Sequence, residues 1–206
     1  MIVIDKNDLV TLQKSKKNLS ASDLSKANLD GVDFSFGNFI STNFKEANLK
    51  NANFTSSKLE SADFTKSNLS CADFSKSKLF KTIFFQAILS EANFADADLM
   101  GANLSGSNLS GANLSNCTLI EANLIGSDLT NAILRNAKLT GRFTREGTFS
   151  RGANLTRCIL KGADFSQADC HGADIADTNL REANLSNANL IETDLRRADL
   201  SGANLA

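Results

Sequence analysis

The residues suited to chemistry are few in this 206-residue chain, and their spacing matches no catalytic pattern. The four cysteines are Cys71, Cys117, Cys158 and Cys170, and His171 is the one histidine. A zinc site needs closely spaced cysteine and histidine ligands, and no Cys-x-x-Cys pair is present. The sequence therefore predicts no metal site and no cofactor.

Other catalytic motifs are missing as well. The chain has no glycine-rich phosphate loop, no His-Glu-x-x-His and no Gly-x-Ser-x-Gly. Its aspartates recur at one position of a repeat, so a carboxylate pair among them is weak support for acid–base catalysis. We therefore expect no catalytic residue and a protein that is not an enzyme.

The charge is nearly balanced along the whole chain but uneven between its halves. Lysine and arginine number 22 and aspartate and glutamate 23, a net charge of −1. Residues 1–86 carry a net +3 and residues 87–206 a net −4. A balanced chain does not favour direct nucleic-acid binding. No stretch is apolar enough to span a membrane, so we expect a cytoplasmic protein.

A five-residue repeat runs through almost the whole sequence. It covers residues 17–141 and resumes over residues 153–206. The central residue of each unit is Leu, Phe or Ile in 35 of 36 units, the residue two before it is small in 34, and the intervening residue is Asn or Asp in 28. Residues two apart in an extended segment point to the same side, so the central and the small residues should face the interior.

The spacing of the phenylalanines gives the number of sides. Phe34, Phe54, Phe74 and Phe94 recur every 20 residues, and Phe44, Phe64 and Phe84 do so with an offset of ten. A coil of 20 residues stacks each series on one wall, and the two walls face each other. The sequence therefore predicts a four-sided parallel β-helix of about 9.5 coils, an all-β fold.

Units such as Ala102-Asn103-Leu104-Ser105-Gly106 and Ala72-Asp73-Phe74-Ser75-Lys76 resemble the pentapeptide-repeat family. The resemblance covers about nine-tenths of the chain and implies that family's right-handed quadrilateral β-helix. The regular units look closest to the many bacterial and cyanobacterial members of unassigned role.

The repeat is interrupted once, at residues 142–152. Two interpretations are open: a one-residue bulge in a continuous rod, which we favour, or a small projecting loop. In the second, Arg142, Arg145 and Arg151 would contact an acidic partner.

The two ends of the repeat differ. Residues 1–16 hold several apolar side chains and could form a short helix, so they are expected to cap the first coil, whose strand edges would otherwise be open. No such cap is visible after the last unit. A homodimer through the C-terminal coil is therefore possible.

Large apolar residues also occupy positions where the repeat is otherwise polar. The sequence predicts that they form an exterior stripe, and exposed apolar patches usually mark interaction sites. Alternatively, the N-terminal segment folds back and covers them. The residues are Phe80, Ile83, Phe85, Ile88, Met100 and Ile120.

The functional prediction is a non-enzymatic binding or scaffold protein that presents a rigid rod to an unidentified protein partner. The alternative comes from the family resemblance. Some pentapeptide-repeat proteins imitate the shape and charge of duplex DNA, bind DNA gyrase and protect it from quinolones. That activity needs a strongly anionic surface, which the balanced charge does not provide.

Overall fold

The structure, a computed structural model, describes residues 18–143, 149–150 and 152–206, with the backbone alone at 142–143 and 149–150. The cap predicted for residues 1–16 lies outside this part of the chain. Among the described residues, no helix has the length and apolar character that crossing a membrane requires.

Each pentad is an extended segment followed by a tight turn. The turn is closed by the N–H three residues after the central residue, as where Ala122 N donates to Leu119 O at 3.0 Å. The third residue of the turn takes a left-handed conformation, with φ of 57° at Asn51 and 68° at Gly126. A positive φ at this place is the feature of type II turns. This conformation recurs at the turns of the described coils except at Gly141, where the repeat is interrupted.

Coils pair with their neighbours through parallel backbone hydrogen bonds. Asn48 pairs with Asn68, and Leu49 N donates to Asn68 O at 2.7 Å while Asn68 N donates to Ala47 O at 3.0 Å. The same pairing repeats at 20-residue intervals on all sides of the rod up to Lys138. Four pentads per coil are therefore confirmed.

The four sides are numbered here by their central residues in the order of the chain. Face 1 begins with Leu19, face 2 with Leu24, face 3 with Leu29 and face 4 with Phe34. A corner takes the numbers of the two faces that it joins, so that corner 1–2 follows face 1.

Two columns of phenylalanine rings fill the tube, as predicted. On face 4, the rings of Phe54 and Phe74 are stacked with centroids 5.0 Å apart and planes within 1°. On the opposite face 2, Phe44 and Phe64 stack at 4.7 Å. The columns meet edge to face, with Phe54 and Phe64 centroids 5.7 Å apart at 83°. Such contacts add to the burial energy of each ring.

The small residues of each pentad are also interior, and their hydroxyls are satisfied locally. Ser57 Oγ donates to Phe54 O at 2.6 Å, and Ser67 Oγ donates to Phe64 O at 2.7 Å. A buried hydroxyl without such a bond would cost about 1–3 kcal/mol. Serine and alanine can therefore share this position.

The interruption of the repeat leaves the coil instead of bulging within it. Asn123 pairs with Asn154, which is 31 residues later in place of 20, and Ala153 N donates to Leu139 O at 2.8 Å as at an ordinary corner. A one-residue bulge would have offset this pairing by a single residue, so that interpretation is wrong.

Residues 142–152 leave the rod and rejoin it at corner 1–2. Two short antiparallel strands, β1 (Arg142–Phe143) and β2 (Phe149–Ser150), form a hairpin in which Phe143 lies opposite Phe149. Because the hairpin contributes nothing to the coils, the 36 pentads make nine coils rather than about 9.5.

The last coil is less buried than the others. Leu190, Leu195 and Leu200 are half-buried, and Leu205 is exposed. The homodimer through this coil stays a prediction.

Candidate protein-binding surface

The residue before each central residue normally forms a polar ladder on the outside of the rod. Its side-chain oxygen accepts the N–H two residues ahead, as where Asn68 Oδ1 accepts from Ser70 N at 3.2 Å. Amides on successive coils also bond to one another, as where Asn48 Nδ2 donates to Asn28 Oδ1 at 2.8 Å. Asn and Asp thus stabilise both the turn and the stacking of coils.

Four isoleucines replace this polar ladder. Isoleucine has no acceptor for the N–H two residues ahead, so each replacement gives up a bond worth about 0.5–1.5 kcal/mol. The fold alone therefore does not explain these side chains. They are Ile83 on face 2, Ile88 and Ile159 on face 3, and Ile133 on face 4.

Five outward apolar residues lie on one side of the rod, around corner 2–3. Phe85 and Ile88 are on the same coil and are 37% and 45% exposed. The half-buried Ile83 precedes them on face 2. Ile125, two coils further along corner 2–3, is 38% exposed, and Ile159 on face 3 is 46% exposed. We call these five residues the Phe85 strip.

Small residues separate the members of the Phe85 strip. Ser105 and Gly106 occupy corner 2–3 between Phe85 and Ile125, and no atom lies within 4 Å of the position that a Cβ would take at Gly126. The strip spans three coil steps, about 14 Å at the usual strand spacing. The apolar side chains of the strip therefore project beyond the small residues that lie between them.

Basic residues lie at the two ends of the strip on corner 2–3. Lys66 is one coil before Phe85, and Arg157 is one coil after Ile125. Beyond Arg157, Asp177 accepts a hydrogen bond from Arg197, which lowers the pKa of its carboxyl, and Arg157 lowers it further. The strip itself is uncharged.

The other predicted residues form a separate line on corner 1–2. Ile40, Glu60, Phe80, Met100 and Ile120 succeed one another there on consecutive coils, and we call them the Phe80 line. Phe80 and Met100 are half-buried, and Ile120 is only 2% exposed. The predicted single stripe is therefore two surfaces, and Ile120 is not available to a partner.

Ile120 is buried and Met100 is half-buried, although the two occupy the same position of the repeat. Ile120 is on the last coil before the one from which the hairpin leaves, also at corner 1–2. The side chain of Arg142 and all of Arg145 and Arg151 lie outside the described residues, so the predicted acidic contact stays a prediction.

Two residues of the Phe85 strip were missed from the sequence, namely Ile125 and Ile159. The sequence does indicate an outward position for Ile159, because it stands where the repeat has Asn or Asp, as Ile83 and Ile88 do. Its alignment with Ile88 is hidden in the sequence, because the hairpin adds 11 to its number relative to Asp128, with which it pairs on the adjacent coil.

The cysteines and the histidine are placed as the repeat predicts. Cys117, Cys158 and Cys170 are interior, and burial raises the pKa of each thiol to about 12. Cys71 is exposed, and His171 Nε2 lies 3.8 Å from Glu192 Oε2. Within the described residues, no group of three or more His, Cys, Asp or Glu could hold a metal ion.

Comparison with protein families gives one consistent result. A family model described as pentapeptide repeats matches eight overlapping segments: residues 18–51, 47–86, 68–106, 84–116, 107–141, 146–169, 151–181 and 168–206. A comparison with curated proteins found no match.

Solved structures of the same architecture are similar over most of their length. A trypsin-treated variant of QnrB1, a plasmid-mediated fluoroquinolone resistance protein, has a TM-score of 0.78 at 20% identity, covering 91% of this chain and 88% of that chain. Full-length QnrB1 has a TM-score of 0.56 at 18% identity, covering 91% and 90%. These likenesses show the fold, a right-handed β-helix of pentapeptide repeats.

HetL is a further similar structure. It is a pentapeptide repeat protein involved in heterocyst differentiation regulation, from the cyanobacterium Nostoc. Its TM-score is 0.41 at 25% identity, covering 97% of this chain and 96% of that chain. At that score the likeness carries no argument about this chain.

Proposed function

We propose, since the chain belongs to the pentapeptide-repeat family, that it is a non-enzymatic binding protein whose Phe85 strip docks a protein partner. The observation that carries this proposal is the replacement of ladder residues by Ile83 and Ile88. Their polar counterparts would stabilise the rod, yet apolar side chains stand at the surface in their place. Exposed apolar groups of this kind gain free energy when a partner covers them.

The rod is suited to this role because it is rigid and filled. Central residues such as Leu69 and Phe74 have no exposed surface, and backbone hydrogen bonds join each coil to the next. The side chains of the strip are therefore held at fixed spacings before a partner arrives, which lowers the entropy lost on binding. The filled core also supports a binding role over an enzymatic one, because buried Leu and Phe side chains occupy the interior of the described coils, where a substrate would need space.

The proposal predicts opposite effects on binding and stability. Replacing Ile83→Asn and Ile88→Asn together removes apolar surface from the strip and restores acceptors for Phe85 N and Ser90 N. We expect the free energy of unfolding to rise by about 0.5–1.5 kcal/mol per site. We expect capture of the partner from the native cell to fall at least tenfold, measured by quantitative affinity purification alongside denaturant unfolding.

Ile133→Asn is the matched control. Ile133 occupies the same position of the repeat and is 38% exposed, but it lies on face 4, away from the strip. It should gain the same stability and leave capture unchanged. Equal capture by the double variant and by wild type would contradict the proposal.

The alternative, a DNA mimic that binds DNA gyrase, stays a prediction. The similarity to QnrB1 is at 20% identity and supports the shared fold alone. Face 1 carries Lys58, Lys78 and Lys138 in its polar ladder, where an imitation of the DNA backbone needs negative charge. Relief of quinolone inhibition in a gyrase supercoiling assay would support this alternative over docking at the strip.

A further inference from the structure

We propose that the partner segment docked at the Phe85 strip is an amphipathic helix that lies along corner 2–3, with acidic residues near both of its ends and apolar residues between them. This rests on the function proposed for the strip and names the chemistry that the strip would recognise. Three features of the described coils support it: the charges at the ends of the strip, the recess between its side chains and the pairing of the backbone beneath it.

Two cations bracket the strip without an ion pair of their own. Lys66 and Arg157 are exposed at the same position of corner 2–3, four coil steps apart, which is about 19 Å at the usual strand spacing. The ion pairs of the described coils include neither side chain. A partner that brings a carboxylate to each of them would make charge-assisted contacts that the rod itself does not make.

The neighbouring carboxylates on corner 2–3 are already paired with other residues. Glu46 Oε2, one coil before the first cation, lies 3.8 Å from Lys26 Nζ. Asp177 Oδ2, one coil after the second cation, accepts a hydrogen bond from Arg197 Nη2 at 2.7 Å. Both bracketing cations therefore remain available to a partner.

The middle of the strip would repel a further carboxylate. Asp128 is on face 3, where its backbone pairs with that of Ile159, a member of the strip. Its Oδ1 atom accepts a hydrogen bond from Thr130 N at 2.9 Å, so the turn holds this charge in place. Because like charges repel, the acidic residues of the partner should stand at its ends and not at its centre.

A recess between Phe85 and Ile125 suits the apolar side chains of a helix. These two residues are two coil steps apart, about 10 Å, and Gly106 occupies the corner between them. A Cβ at Gly106 would have Gln86 Cγ as its nearest neighbour, at 3.5 Å, so a partner side chain has room above it. Helical residues seven apart share a face and are separated by about 10.5 Å, which matches the spacing of the two projecting side chains.

The backbone beneath the strip is paired from coil to coil and presents no open strand edge there. Gly106 N donates to Ile125 O at 2.9 Å, and Ser105 N donates to Asn103 Oδ1 at 3.1 Å. An extended partner would therefore leave its own backbone groups unpaired where it displaced water from the strip. A helix satisfies those groups internally, and about 13 helical residues span the 19 Å between the cations.

Selection of peptides against the full-length chain tests this chemistry. The probe is a random library of peptides of about 16 residues, long enough for a helix that spans the strip, selected by mRNA display. We expect the enriched peptides to carry apolar residues at helical spacing, three, four and seven residues apart, with aspartate or glutamate near both ends.

Neutralising both cations should weaken binding of the enriched peptides. Lys66→Gln with Arg157→Gln introduces a residue that the rod already uses at this position of the turn, as at Gln86 with a φ of 56°. We expect the affinity, measured by fluorescence anisotropy, to fall about fivefold to tenfold and to depend less on salt. Lys76→Gln with Lys81→Gln is the matched control, because it removes the same charge on corners 4–1 and 1–2, and it should leave the affinity unchanged.

Filling the recess tests the apolar contact separately. Gly106→Gln should lower the affinity about tenfold, because the new side chain occupies the space that the helix needs. Gly111→Gln is the matched control on corner 3–4 of the same coil, where a Cβ would lie 3.5 Å from Glu91 Cγ, the same distance as at Gly106. Binding should be unchanged in that variant.

The possible outcomes distinguish the helix from the docking function on which it rests. Peptides that require Ile83 and Ile88 but lack acidic ends or helical spacing would overturn the helix and leave docking at the strip intact. Unchanged affinity after Lys66→Gln with Arg157→Gln would do the same. Failure to enrich any peptide, or equal binding to the Ile83→Asn, Ile88→Asn variant, would contradict both.

Discussion

At the scale of single residues, Gly37 shows how the core accommodates a larger neighbour. It occupies the small interior position before Phe39, and a Cβ there would lie 2.3 Å from the Phe39 ring. The neighbouring centres of face 1 are Leu19 and Leu59, so only Phe39 is enlarged. The two residues act as one packing unit.

Gly37→Ala is therefore expected to destabilise the rod by about 1–3 kcal/mol through overpacking. Phe39→Leu introduced with it removes the clash, so the double variant should be more stable than Gly37→Ala alone. Chemical denaturation of Gly37→Ala, Phe39→Leu and the double variant measures this coupling. If the two losses simply add, the packing unit does not exist.

The sequence predicted the exposure of some of these side chains but not of all. The alternation within each pentad correctly placed Phe85 and Ile88 outside and the phenylalanine columns inside. It could not separate Met100 from Ile120, because both stand at the same position of the repeat and only their neighbours differ. Exposure at such a site depends on a neighbour that periodicity does not describe.

At the scale of elements, ion pairs stabilise the turns near the end of the rod. Arg196 Nη2 donates to Asp194 Oδ2 at 2.6 Å, and the Arg196 backbone N–H donates to Asp194 Oδ1 at 3.0 Å. The hydrogen bond from the Arg196 side chain lowers the pKa of Asp194 from its ordinary 3.8 to about 2. The ion pair thus stabilises the turn in addition to the hydrogen bond of the polar ladder.

This pKa predicts the effect of acid on the last coils. Because the folded value is depressed, the ionised carboxyl stabilises the turn above about pH 4, and that contribution is lost as the pH falls towards 2. Asp194→Asn keeps the acceptor for the backbone N–H and removes the charge. Its thermal midpoint should fall less than that of wild type between pH 5 and pH 2, and high salt should narrow the difference. Parallel curves for the two proteins would contradict this account.

The hairpin is the element that sequence patterns described least well. Residues 142–152 have the length of two pentads and one further residue. That length is compatible both with a bulge within the coils and with a loop outside them. The backbone decides between them, because Asn154 completes the ladder above Asn123. Only the register of the hydrogen bonds distinguishes a distorted coil from an excursion.

At the scale of the whole molecule, the rod is continuous across that excursion. Gly141 and Ala153 stand at the positions of consecutive pentads, and the bond from Ala153 N to Leu139 O closes the corner. Joining them directly would produce two regular units. The nine coils therefore do not depend on the hairpin.

Deletion of residues 142–152 should leave a folded nine-coil rod. Removing an 11-residue closed loop saves about 2 kcal/mol of closure entropy, so the free energy of unfolding should stay constant or rise by up to that amount. Denaturant unfolding and circular dichroism of the deletion variant measure this. A loss of cooperative unfolding would show that the hairpin holds the two parts of the rod together.

The overall architecture could be predicted because the pentad signal repeats many times and each copy reports the same geometry. Four sides, two phenylalanine columns and an outward polar ladder all followed from that period. The distribution of exposed residues around the circumference could not be predicted as well, since Ile159 aligns with Ile88 only after the hairpin has been removed from the count. A single insertion displaces every later residue in the numbering but none in space.

The corner that carries the hairpin also bears on how such a chain can diversify. A segment enters and leaves there within one turn, and the coils above it keep their register. Genetic insertions of other lengths at the same corner would change what the rod displays without altering its scaffold. New recognition loops could thus arise in one step, and grafting foreign peptides between Gly141 and Ala153 would exploit the same tolerance.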